Sequence, residues 1–110
     1  MSDIDPQMLK GLLALLLLSL LAEHDDYGYS LVERLRAGGL TDVAEGTVYP
    51  ALARLERGGF FTTHLVPSDR GPARKYYQLS ATGRAELDAR RAAWNTLTNV
   101  LDRFTNGEQT

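Results

Sequence analysis

No cysteine occurs anywhere in the sequence, which excludes disulfides, thiolate metal sites and a cysteine nucleophile and fits a reducing, cytoplasmic compartment. Histidine is scarce, and His24 and His64 lie far apart. His24 stands beside Asp25 and Asp26, but three adjacent turn residues do not converge on one ion. That segment is expected to be an acidic turn ending a helix, and no metal or cofactor is expected. The glycine pairs at 38–39 and 58–59 lack the GxGxxG and GxxxxGK spacings of nucleotide loops. Ser68 and Asp69 with His64 come without an oxyanion-hole turn or nucleophile elbow, so no enzymatic activity is expected. Leu12 to Ala22 (LLALLLLSLLA) is well short of the roughly 20 apolar residues that cross a bilayer. Its leader has only Lys10 positive, and Leu20 would fill a small-residue position of any cut after Ala22. A buried helix is the better reading of that run than export or membrane insertion.

Positive charge is also in short supply, with a net charge of −2, but it is unevenly placed. Residues 1–53 carry three bases against eight acids, whereas residues 54–78 carry five bases against two acids. The basic cluster comprises Arg54, Arg57, Arg70, Arg74 and Lys75. At 110 residues the chain is most simply one compact unit, and so apolar a chain of this size is a candidate for completing its core against a partner.

The leucine-rich stretch over 8–23 reads as a helix with burial on more than one face. A short helix over 29–37 follows, with an apolar stripe of Tyr29, Leu31, Val32 and Leu35. A third, over 45–57, buries Val48, Ala51, Leu52 and Leu55. Pro50 is harmless only in a first turn, which places that helix start near Thr47 or just before. FFTTHLV (60–66) and KYYQL (75–79) read as strands around the turn-rich loop 67–74. Ser80 or Thr82 then caps a long last helix over 81–105, and 106–110 is expected to be a disordered tail. The fold class is mainly α with a small β-hairpin. The order matches a winged helix-turn-helix (residues 1–80) followed by a long dimerisation helix.

In that fold the third helix enters the major groove and the hairpin loop follows the backbone. With Val48, Leu52 and Leu55 facing inward, Thr47, Pro50, Ala53, Arg54 and Arg57 fall on the exposed side. Tyr49 sits at the flank, where its hydroxyl reaches toward a phosphate. Arg70, Arg74 and Lys75 surround a bend held by Gly71 and Pro72, suited to lie along a phosphate row; taken alone, the same loop reads equally as a solvated turn. Tyr77 belongs to the core, whereas Tyr76, beside the basic tip, fits either a DNA contact or plain packing.

The segments GYSLVERL, EGTVYPALARLERGGF and GPARKYYQLSATGR resemble the motifs of PadR-type transcriptional regulators. The resemblance runs from about residue 8 to 104, and the paired GTVYP…RLE and RKYY.L…G blocks carry most of it. It implies a bacterial winged-helix repressor that binds double-stranded DNA as a homodimer. DNA contacts would fall on Thr47, Tyr49 and Arg54 and on Arg70, Arg74, Lys75 and Tyr76. The short tail is similar to that of the smaller subgroup, which has a single C-terminal helix.

Leu87, Trp94 and Leu101 repeat every seven residues, and Leu97 and Phe104 complete an a/d seam that Arg90 interrupts. This reads as a dimer interface shared with the first helix; the other reading is an amphipathic helix folded back on its own chain. Trp94 is a core filler on the plainer view. The resemblance implies instead that paired tryptophans hold a flat aromatic effector, with Met8, Leu12 and Leu15 as an apolar wall. Thr98 stands where drug-binding relatives can carry an acid. A rival from another class is an adaptor that uses the fold for protein contact without DNA.

Overall fold

A computed structural model of the chain describes residues 4–107. Helix α1 spans Pro6–Glu23 and starts two residues before the expected boundary, because Asp5 caps it by accepting the Gln7 N–H at 2.7 Å while Pro6 supplies a preset φ at the first position. Its apolar length and composition would suffice for a membrane span, yet Leu13, Leu17, Leu18 and Leu21 are buried in the protein core. Helix α2 is Gly28–Ala37 and helix α3 is Glu45–Arg57. The α3 stripe of Val48, Ala51, Leu52 and Leu55 is buried as its spacing requires.

Pro50 does not sit in the first turn of α3. The helix begins at Glu45, so Pro50 is its sixth residue and deprives the Gly46 carbonyl of its usual donor. Gly46 is exposed, so water can serve that carbonyl.

Three strands form the sheet, one more than the expected hairpin. They are β1 (Asp26–Tyr27), β2 (Phe61–Val66) and β3 (Arg74–Leu79), antiparallel in the order β1-β3-β2. Arg74 therefore belongs to a strand and pairs with Val66 rather than lying in the loop. The acidic turn expected at 24–26 is also different. Asp26 is buried, and it begins β1 opposite Tyr77.

The Asp26 carboxylate accepts the Tyr27 N–H at 2.9 Å, the Ser30 hydroxyl at 2.7 Å and Arg34 Nη1 at 3.0 Å. Arg34 Nη2 reaches on to the Leu20 carbonyl at 3.2 Å and the Glu23 carboxylate at 2.8 Å. The ion pair thus ties the end of α1 and the last turn of α2 to the sheet, while Ser30 secures the start of α2 on the same carboxylate. Burial of a charge demands such complete pairing, since an unpartnered carboxylate in the core is costly.

Helix α4, Ala81–Thr105, projects from this body and gives the molecule its 60 Å long axis. Ser80 caps it, accepting the Gly83 N–H at 2.9 Å and donating to the Gly59 carbonyl at 2.7 Å. Gly83 packs so closely on the Phe60 carbonyl that a Cβ there would collide with backbone. Asn106, at the start of the expected tail, is the C-cap, with its N–H on the Asp102 carbonyl; residues 108–110 lie outside the described ones. Leu87, expected at a dimer interface, is only 1 % exposed and belongs to the core of its own chain. A seven-residue spacing cannot distinguish an intramolecular contact from an intermolecular one, and the first turns of α4 are spent on the body.

Replacing Arg34 by Ala is expected to lower unfolding free energy by about 3 kcal/mol, because Asp26 is left buried and unpaired. Arg90→Ala, which breaks only the partly exposed i,i+4 pair with Glu86, should cost about 0.5 kcal/mol. Urea denaturation of the two variants checks this; equal midpoints would contradict it.

Candidate nucleic-acid interface

The exposed side of α3 presents Thr47, Tyr49, Pro50, Arg54 and Arg57 to solvent, with Ala53 partly buried among them. On the sheet, alternation along β3 separates the basic residues. Arg74 and Tyr76 share one face, whereas Lys75 shares the other with the buried Tyr77. The Arg74 guanidinium lies 4.5 Å from the centre of the Tyr27 ring, and Tyr27 packs against Tyr76 with ring centres 5.3 Å apart and planes inclined by 50°. These contacts hold an otherwise floppy arginine in one direction. Arg70 and Gly71 are exposed on the loop, where Gly71 turns the chain with φ 85°.

Two hollows open around Arg74. One, of about 540 Å³, lies between Gly28 and Tyr29 on α2, Tyr49 on α3, and Tyr27, Arg74, Lys75 and Tyr77 on the sheet. The other, of about 460 Å³, lies at the wing tip between Pro67, Ser68, Asp69, Arg70, Arg74 and Tyr76. Tyr49, Arg74 and Lys75 are thus brought to one notch, and Arg70, Arg74 and Tyr76 to a second. Thr47 stands apart, lining a groove of about 500 Å³ with the start of α1.

Among the described residues, no carboxylate pairs with Arg54, Arg57, Arg70 or Arg74, so all four remain available to an anion. Lys75 is different: its Nζ donates to Glu56 at 3.1 Å. That hydrogen bond holds the ammonium above the usual lysine range, despite some opposing desolvation. Partial burial, reinforced by the Glu45 carboxylate, pushes the Tyr49 phenol up as well. Both groups are therefore hydrogen-bond donors at neutral pH, as a phosphate oxygen requires.

Periodicity puts Tyr29 in the buried stripe of α2, but it is 53 % exposed and faces the notch. Its neighbour Gly28 explains the local geometry. A Cβ on Gly28 would lie 2.9 Å from both Cζ and the hydroxyl oxygen of Tyr49, closer than such atoms come. Only glycine lets the Tyr49 ring rest on the start of α2. The YGY triplet at the start of a helix is a local signal for Tyr27, Gly28 and Tyr29, but their meeting with Tyr49 is non-local.

The residues expected around an effector are spread in exposure. Met8 is exposed, while Leu12, Leu15 and Trp94 are partly buried. Beyond Trp94 on α4, Leu97, Leu101 and Phe104 are 53 %, 54 % and 75 % exposed.

The sequence pattern of the transcriptional regulator PadR-like family matches residues 17–89, more than half of the chain. A PadR-like transcriptional regulator from Bacillus cereus is 33 % identical, with 89 % of this chain and 95 % of that one covered and a TM-score of 0.80. A transcriptional regulator from Clostridium thermocellum is 28 % identical over 93 % of this chain and 98 % of its own, with a TM-score of 0.83. An uncharacterised protein of Lysinibacillus sphaericus is 28 % identical over 102 residues, covering 91 % of this chain and 94 % of that protein.

Gly28→Ala should displace the Tyr49 ring, seen as shifted ring resonances, while stability falls by less than about 1 kcal/mol because an exposed side chain can swing away. Gly83→Ala meets backbone and should cost about 3 kcal/mol. Similar destabilisation in both variants would contradict this account of the two close approaches.

Proposed function

The chain belongs to the PadR-like family of transcriptional regulators, and from that membership we propose that it is a cytoplasmic homodimeric repressor that binds a palindromic operator in double-stranded DNA. Residues 1–80 form the DNA-binding unit and residues 81–105 the dimerisation helix. The observation that carries this reading is that the two elements meeting at the tyrosine-lined notch both bear exposed arginines without a carboxylate partner among the described residues, Arg54 and Arg57 on α3 and Arg70 and Arg74 on the wing. A sequence-reading helix needs a second element to set its register on the backbone. Thr47, Pro50 and Arg54 face the groove, while Tyr49, Arg57, Arg70, Gly71, Arg74, Lys75 and Tyr76 address phosphates. Tyr29 joins them, because it lines the same notch.

One module contacts too few base pairs to select a site. Two modules about 34 Å apart read a palindrome on one side of the duplex. The exposed Leu97, Leu101 and Phe104 supply the surface for pairing, with Trp94 at its inner end. A flat apolar effector held between the two Trp94 side chains would act by favouring one spacing of the α3 helices over another. A ligand indifferent to the spacing would change nothing.

Fluorescence anisotropy of a labelled duplex against salt tests the DNA-binding reading. Log affinity should fall linearly with log salt, and Arg70→Ala with Arg74→Ala should flatten the slope by about 0.9 for each phosphate that is no longer neutralised, on every sequence. A flat salt dependence in the unmodified protein would favour an adaptor that binds protein instead. For the effector, planar aromatic compounds should quench or shift Trp94 emission; unchanged emission across a broad panel would assign Trp94 to packing alone.

A further inference from the structure

Glu56 is on α3, but its carboxylate points at the wing. One oxygen accepts Lys75 Nζ at 3.1 Å, and the other accepts the Thr63 hydroxyl at 3.5 Å. A single side chain therefore links the third helix to both long strands. Its partner Lys75 also lines the notch beside Tyr49 and Arg74. The pair is half open to solvent, with side-chain exposures of 49 % for Lys75 and 34 % for Glu56, and such pairs add little to stability. Beside a phosphate row, moreover, a carboxylate repels the ligand. It is one of only two acids among residues 54–78, against five bases.

A feature that stabilises little and opposes the ligand calls for another role. We infer that Glu56 is a positioning residue for specificity, an internal competitor that occupies Lys75 until a correctly seated duplex brings a phosphate to displace it. The inference rests on the DNA-binding reading above. Specificity is a difference between affinities, and it gains as much from weakening the wrong complex as from strengthening the right one. On unselected DNA, α3 does not seat, no phosphate is held against the notch, and Lys75 stays with Glu56. On a fitting sequence, Arg54 and Arg74 fix the backbone and Lys75 exchanges one anion for another.

The test uses the full-length protein and a mixed-sequence duplex, with affinity measured across a salt series. Glu56→Gln frees Lys75 without changing side-chain size. It should tighten binding to this duplex about fivefold at physiological salt and steepen the slope by about 0.9 for each protomer that touches the duplex. In a Lys75→Ala background the same change should leave the salt slope unchanged, and the gain left from removing a repelling charge should stay below about twofold. Lys75→Ala alone should weaken mixed-sequence binding by less than about twofold, since that lysine is already engaged. An unchanged slope in Glu56→Gln, a full fivefold gain or a steeper slope that persists without Lys75, or a large drop in affinity in Lys75→Ala alone would overturn the inference. A flat salt dependence in the unmodified protein would instead remove the DNA-binding reading on which it rests. The Lys75→Ala arm also guards against a folding defect at Glu56, because Lys75 is exposed and touches no buried charge.

Discussion

The constraint on which the rest depends is the apolar side of α4. Its first turns are fixed to the body through Ser80, Gly83 and Leu87, but Leu97, Leu101 and Phe104 remain exposed. Each carries apolar area worth about 1–2 kcal/mol when covered, so the helix is an incomplete structure without a partner surface. The proposed second copy supplies that surface. The anchoring of α4 then has a consequence for DNA. Ser80 donates to the carbonyl of Gly59, immediately after α3, and Gly83 lies on the carbonyl of Phe60. In the proposed dimer, a shift of α4 at the seam would reach the end of α3 within a few bonds. The proposed seam and the proposed DNA surface would then be two ends of one unit, which is how a ligand beside Trp94 would alter operator affinity.

The charge distribution follows the same logic. The protein is acidic overall, yet α3 and the wing carry four exposed arginines, Arg54, Arg57, Arg70 and Arg74, with no carboxylate partner among the described residues. Arg34 serves the fold instead: it neutralises the buried Asp26 and gathers the end of α1 onto the sheet. Arg74 stands between these roles. It is stacked on Tyr27, itself paired with Tyr76 across the strands, so its charge is presented from a rigid support rather than a mobile loop. Preorganisation of this kind lowers the entropy cost when a phosphate binds.

Much of this is legible in the sequence because it is local. The stripe of α3, the Gly pairs that end α2 and α3, the serine cap of α4 and the basic hairpin all follow from spacing within one element. What escapes is non-local. Nothing near Asp26 announces that Arg34 and Tyr77 will enclose it, so the segment reads as an acidic turn ending a helix and β1 is hidden. Tyr29 falls on an apolar period yet points to solvent, because Tyr49 and the sheet leave a hollow there. Pro50 misleads for a related reason. The rule that excludes it from a helix interior rests on a lost hydrogen bond and a ring clash one turn earlier, and here the carbonyl concerned belongs to the exposed Gly46, where water can replace the lost donor. Leu87 reads as part of the dimer seam but lies in the core, since periodicity gives the face of a helix and not what covers it. The arginines themselves are identifiable, whereas the capture of Lys75 by Glu56 is not, because nineteen positions separate them.

The central claim is that two copies, joined along α4, present their α3 helices to one side of a duplex at a fixed separation. Hydroxyl-radical footprinting on a duplex selected from a random pool for tight binding tests it most directly. Protection should appear as two patches on the same face of the DNA, with centres about one helical turn apart, near 10 base pairs. A single patch, or continuous protection without that period, would contradict the account.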